Sequence, residues 1–417
     1  MQLWLIPFNY AVASIVGSLV IPRLEARYFA HDLELSISAA QAYLSAVASG
    51  MMALTGIVFS IAFVLVQFNA IVYSPRLVVW FARDRLLFHS LGMFVATFMY
   101  SLGTLAWIDR GGNGVVPLVS CALVVLMLIA SVLLLLQLVQ RLNNLQITQV
   151  LRIIGNKGRE VIRETYQGVA ETVSRKGFDA NPRRMSGTCS LSIKHQGEPR
   201  AVTWIDLDGL VKLARQADCS IVVDCAVGDT LLEGTRLVRV FNAKSNPLET
   251  ELSKCIHVGD QRTFEQDPKY ALRLLVDIAV KALSPAINDP TTAVQAIDQI
   301  EDLLVRLAKC DLETSRAFDK DGALRVVSQM PGWGDYLTLA FDEIRQYGRD
   351  SIQVMRRLRS ALADLAESVG NERARLVNAY LEHLDQSIER SDFDPKDRAA
   401  ARVEDRQGLG LSHRQED

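Results

Sequence analysis

Lysine is absent from the first 140 residues, which hold six arginines and five acids out of the chain's 45 basic and 47 acidic residues. A run of that length with so little charge cannot present an ordinary water-facing surface. The rest of the 417-residue chain carries 39 basic and 42 acidic side chains and has the composition of a soluble protein. Neither part has the basic excess of a nucleic-acid binder, which argues against that class of partner. The six cysteines (Cys121, Cys189, Cys219, Cys225, Cys255 and Cys310) lack CxxC spacing. They read as separate small hydrophobes in a reducing compartment, not as a disulfide framework. Also missing are a Walker A loop, a GxSxG elbow and an HExxH helix. His257 has no companion at metal-ligand spacing, so neither a metal nor a cofactor is expected.

What the first third does contain is four uncharged apolar runs, at 3–21, 46–72, 86–108 and 115–139. Each is close to the ~20 residues a helix needs to cross the hydrocarbon core. The first run has no basic flank before it, and Ile21-Pro22-Arg23 is a poor cleavage site, so it reads as a retained anchor. Residues 1–140 are therefore expected to form a four-helix transmembrane domain in a lipid bilayer. With four spans, Arg76, Arg83, Arg85, Arg141 and Arg152 share one side, against Arg23, Arg27 and Arg110 on the other. The positive-inside rule then places the C-terminal domain in the cytoplasm. No Asp, Glu, Lys or Arg falls inside the four runs, which argues against a proton-coupled transporter. Ser60, Gln67 and Asn69 are the candidate pore-lining residues. The alternative for them, as for His89 and Thr97, is hydrogen bonding between helices.

Residues 141–187 read as an amphipathic connector helix followed by a loop. Leu142, Leu145, Val150, Ile153, Ile154, Val161 and Ile162 recur at helical spacing, and Gly155 and Gly158 are candidate kink points. The helix is free to pack on its own soluble domain or on copies of itself. Residues 188–245 show alternating strand-like segments around a short helix that Asp206 or Asp208 can cap. The paired glycines Gly228 and Gly234 resemble the tight turns of biotinyl and lipoyl-type small barrels. No lysine stands where a prosthetic group would attach, so the turn is read as scaffold. Residues 246–390 read as a helical soluble domain and 391–417 as a disordered tail. The expected fold class is thus membrane α-helical, plus a soluble α+β domain that is mostly helical with a small β-barrel-like unit.

Two stretches concentrate polar residues at helix breaks. One is Gly259-Asp260-Gln261-Arg262-Thr263, running on to Gln266-Asp267-Pro268. The other is Ala282-Leu283-Ser284-Pro285-Ala286-Ile287-Asn288-Asp289-Pro290. Each Asp-Pro pair suits a helix start, with Asp as N-cap and Pro at the first helical position. A functional reading gathers Arg262, Glu265, Asp267, Ser284, Asn288 and Asp289 into one ligand-binding cluster, if the helix between the breaks bends back.

These strings, with Val58-Phe59-Ser60 and Ser74-Pro75-Arg76, resemble a bacterial family of predicted membrane proteins catalogued as a domain of unknown function. The similarity runs over about 1–390 in order and spacing, with Thr291 where the family shows an aromatic residue. It implies the fold and a membrane location, here read as the bacterial inner membrane, and it supplies no activity. The architecture suggests a homo-oligomeric channel or channel-like transport protein controlled by its cytoplasmic domain. The alternatives are a membrane-anchored ligand sensor or enzyme at the Arg262 and Asn288-Asp289 cluster, and an envelope scaffold. An enzyme reading rests on that clustering alone.

Overall fold

The structure is a computed structural model that describes residues 4–28, 36–72, 85–111, 116–143, 147–173, 188–244, 249–312 and 316–410. Its contacts divide it into two compact units, Met1–Gln146 and Ile147–Asp417.

The first unit contains four helices: α1 (Leu5–Tyr28), α2 (Ile37–Val72), α3 (Arg85–Gly111) and α4 (Leu118–Asn143). All four are long and apolar enough to cross a membrane. α2 spans about 54 Å at 1.5 Å per residue, well beyond a hydrocarbon core. Its described start precedes the expected run because 37–45 is apolar and small enough to continue the helix. α3 is the centre of the bundle, with 39% of its apolar window buried against 17–22% in the others. It packs on α1 through small residues. A Cβ on Gly92 would lie 2.9 Å from the Tyr10 ring, and one on Gly103 would overlap Ser18. Tyr10 pairs with His89 at 3.3 Å, and Arg23 lies over the Trp107 ring at 5.1 Å. Residue numbers rise together along both helices, so α1 and α3 are parallel and the chain must cross between them.

The second unit begins with α5 (Ile147–Val173), separated from α4 by residues 144–146. It is one continuous helix of 27 residues. A Cβ on Gly158 would lie 2.7 Å from Leu303 and 3.0 Å from Ala271. The glycine serves close approach to two helices, α8 (Pro268–Ala282) and α9 (Pro290–Leu307). Thus α5 is built into its own domain. The Tyr166 hydroxyl meets that of Tyr336 at 2.7 Å, on α10 (Trp333–Tyr347), and Arg159 pairs with Asp302 at 2.6 Å. α8 is the core helix, with ten of its fifteen residues buried. α5, α9 and α10 stand around it, while α11 (Ile352–Ser368) packs on α9, and α12 (Asn371–Glu389) and α13 (Pro395–Ala401) pack on α11.

The β part is not a closed barrel. It consists of a five-stranded sheet, ordered β1-β5-β3-β8-β7, and a separate three-stranded sheet, ordered β4-β2-β6. The strands are β1 (Cys189–Lys194), β2 (Arg200–Ile205), β3 (Ser220–Val223), β4 (Thr230–Leu231), β5 (Arg236–Phe241), β6 (Ile256–Gly259), β7 (Arg316–Phe318) and β8 (Leu324–Val327). The sheets share one core with α6 (Leu207–Gln216), through Val202, Leu210, Ile221, Leu231, Val238 and Val326. Asp206 caps α6 by accepting the Gly209 N–H at 2.9 Å. A short helix, α7 (Glu249–Lys254), leads into β6.

Two further expectations change. β7 and β8 come from beyond residue 301, where only helix is expected, and β8 pairs in parallel with β3. The expected tail is ordered to residue 410. Asp394 caps α13, and Arg356 donates to the Ala400 carbonyl at 2.7 Å. Beyond it, Asp405 is buried and accepts the Gln407 N–H.

Candidate functional site

The loop 260–267 leaves β6 at the edge of the small sheet and enters α8. Gln266 adopts a left-handed φ of 54°. Its amide then clips the end of β2, accepting from the Ile205 N–H at 2.9 Å and donating to the Ile205 carbonyl at 3.2 Å. The clip holds Asp267 beneath the strand end with only 1% exposure.

Asp267 stands at the N-cap position with Pro268 after it, yet its side chain makes no capping bond. Arg262 draws the carboxylate away instead, with Nε at 3.0 Å and Nη2 at 2.6 Å from Oδ2. The guanidinium also lies 5.3 Å above the Tyr270 ring. Gly228, at φ 91°, presses its backbone onto this pair, and a Cβ there would come within 2.7 Å of both Arg262 and Asp267. A side chain at 228 is therefore excluded by both conformation and space. The turn itself is held by Gly228 N–H to Val202 O and by Val202 N–H to Asp229 O, both 2.9 Å.

Asp267 Oδ1 has no hydrogen-bond partner, and neither has the buried Thr263 Oγ1. Burial raises the Asp267 carboxyl above the usual carboxylate range, while Arg262 pulls in the opposite direction. A half-satisfied carboxylate in such a place calls for a proton, a water or a ligand donor. Near it, burial pushes Tyr166 up to about 12, opposed by its bond to Tyr336.

The other candidates sit elsewhere. Asp289 is an N-cap: Oδ1 accepts the Thr292 N–H at 3.1 Å and Oδ2 the Thr292 hydroxyl at 2.6 Å. Ser284 donates to the Lys281 carbonyl at 2.7 Å. Asn288 is exposed, with a left-handed φ of 48° that closes the turn after α8. Glu265 is exposed as well. α8 is an unbroken fifteen-residue helix with Asp267 at one end and Ser284 beyond the other. Its length of about 22 Å separates the two groups, so the bend that would unite them is not formed. Only Arg262 and Asp267 are brought together.

In the membrane unit Ser60 is exposed on the outside of the single bundle. Gln67 and Asn69 belong to α2, but their side chains lie outside the described residues. Thr97 bonds Ser131 at 3.1 Å between α3 and α4, in a buried position. Charged residues do enter the helices, because α3 runs on over Asp109 and Arg110 and α1 continues through Pro22 to Tyr28, taking in Arg23, Glu25 and Arg27. Glu25 is buried near that end and caps α4 from outside, accepting the Val119 N–H at 2.6 Å, the Ser120 N–H at 3.1 Å and the Ser120 hydroxyl at 3.2 Å. The absence of an acid from the four runs thus does not hold for the helices themselves.

Four apolar helices able to span a membrane, followed by a mostly helical C-terminal region with two sheets, are the features of a multi-pass membrane protein. The chain belongs to the family described as "Predicted membrane protein (DUF2254)", which matches residues 1–364. It is 28% identical over 370 residues to the uncharacterized protein Rv1290c of Mycobacterium tuberculosis, covering 86% of this chain and 70% of that one. The same figures hold for the uncharacterized protein Mb1321c of Mycobacterium bovis. No solved structure matches the chain.

Proposed function

We propose that the protein is an oligomeric channel, or channel-like transport protein, of the bacterial inner membrane, controlled by a cytoplasmic C-terminal domain. The observation that supports this reading is the placement of α5. It follows the last span after residues 144–146 and is itself locked into the soluble core through Gly158, Arg159 and Tyr166. In this reading the covalent chain that joins α4 to α5 carries a rearrangement of that core to the spans. The excess of arginine on the C-terminal side supports the cytoplasmic placement. Largely apolar, exposed helix faces leave room for copies of the chain as well as lipid. Cryo-electron microscopy of the detergent-purified chain tests the reading. A closed ring with an axial path, and conductance altered by Gln67→Leu or Asn69→Leu, is the expected outcome. A monomer or dimer without such a path ends it.

A second reading, a ligand sensor at Arg262–Asp267, is favoured by the orphaned Oδ1 of Asp267. Its test is whether any ligand protects the 260–267 loop from hydrogen exchange.

A further inference from the structure

Asp267 and Asp289 begin their helices with nearly the same backbone. Asp267 has φ −126° and ψ 77°, Asp289 has φ −117° and ψ 82°, and a proline follows each. Asp289 caps α9 by accepting the N–H three residues on, at Thr292. The corresponding N–H on α8 belongs to Tyr270. It donates to the Asp267 backbone carbonyl at 3.0 Å, and the Asp267 side chain takes no capping bond. The backbone of Asp267 is therefore already that of a capping residue. Rotation of its side chain is all that separates the position it occupies from the cap.

Each position leaves one group short. Held by Arg262, Asp267 keeps Oδ1 buried with no partner. At the cap the carboxylate gains the Tyr270 N–H, and Arg262 loses its counterion. The Arg262 side chain is 29% exposed, so water can take up the N–H groups it releases. Two arrangements with opposite deficits are what a bistable element requires. Packing selects the first: the Gly228 backbone closes over the pair, and Gln266 holds the preceding residue at its left-handed φ.

We propose that Asp267 is a two-position switch between the small sheet and the core helix, either clamped by Arg262 under the Gly228 turn or capping α8. When the turn lifts, Arg262 follows it into solvent and Asp267 rotates to the start of α8. Movement of the small sheet thereby reaches the helix on which α5 packs at Gly158. The inference concerns the same pair as the sensor reading, and it requires neither a ligand nor a pore.

Hydrogen exchange of the full-length protein in detergent, compared between wild type and Arg262→Gln, is the test. Loss of an ordinary ion pair speeds exchange on both sides of it. The switch gives opposite signs. The Gly228 N–H, which donates to Val202 O, exchanges faster, and the first turn of α8 exchanges about fivefold slower as the cap forms. Adding Asp267→Ala to Arg262→Gln abolishes that slowing. Asp289→Ala, followed at the first turn of α9, sets the size of a working cap. Arg262→Lys, which keeps the charge but not the fork, shifts both regions in the same senses by smaller factors. Faster or unchanged exchange at the start of α8 in both Arg262 variants overturns the proposal and leaves the sensor reading to its own test.

Discussion

The two units hold their helices together by different physics. In the membrane bundle the contacts between helices rest on shape: Gly92 and Gly103 let α1 close on α3, and hydroxyls such as Thr97 and Ser131 bond across. Water is absent there, so close van der Waals packing supplies the attraction. In the soluble unit helices are cross-linked by arginine and carboxylate. Arg273 reaches Glu343 at 2.5 and 2.9 Å, Arg357 reaches Asp298, and Arg359 reaches Asp385 at 2.6 Å. Charge is tolerated in that setting because each guanidinium meets a carboxylate, at partly exposed sites for Arg273 and Arg359 and at a buried one for Arg357. The same chain thus uses close approach where charge is excluded and ion pairs where it is allowed.

The sharpest way to break the contrast is one substitution on each side. Arg357→Leu strands Asp298 and Glu301 without their counterion, and should destabilise the soluble unit by about 3 kcal/mol, read as a shift in thermal unfolding. Its effect should shrink at high salt, which screens the half-exposed Asp298. Gly103→Leu should cost the bundle about 2–3 kcal/mol, because Ser18 stands where the side chain must go. That loss should not respond to pH or salt. If both variants respond alike, the distinction drawn between the units is wrong.

A smaller effect tests the buried pair. Because the Asp267 carboxyl is raised, its stabilising contribution is complete below about 3.9 and fades as pH rises through its folded value. In Asp267→Asn this slope is removed. Melting temperature followed from about pH 4 to 8 should therefore show the variant gaining on the wild type as pH rises. A difference that is flat, or falls, contradicts the assignment. Smallest of all is the Thr97–Ser131 bond. A double-mutant cycle with Thr97→Val and Ser131→Ala should give a coupling near 0.6 kcal/mol.

The spans were legible because exclusion of charge is a one-dimensional signal that survives without tertiary knowledge. Glu25 was hidden by the same logic: Pro22 and two arginines look like the end of a helix, and only the start of α4 explains a carboxylate there. The two Asp-Pro pairs show the limit of a local rule. Asp289 caps its helix as the pattern requires. Asp267 carries the same signal, but an arginine five residues earlier competes for its carboxylate and wins. The hairpin of β7 and β8 was missed, although Asp319-Lys320-Asp321-Gly322 between apolar pairs carries a turn signal. Asp319 folds that turn by accepting the N–H groups of Asp321 at 3.0 Å and Ala323 at 2.9 Å. Its parallel partner β3 lies about a hundred residues away, and no local pattern names it. The tail is charged enough to read as disorder, and its order depends on partners in α11 and α12.

Glu25 also sets a timetable for assembly. The residues that satisfy its carboxylate are 94 and 95 positions further along the chain. At translation rates of roughly 5–20 residues per second, α1 waits about 5–20 s after its own synthesis before the start of α4 exists to receive it. Within that interval α3 brings the Gly92 and Gly103 seat first, and the donors for Glu25 follow with α4. The first span can thus seat on α3 before its carboxylate is satisfied.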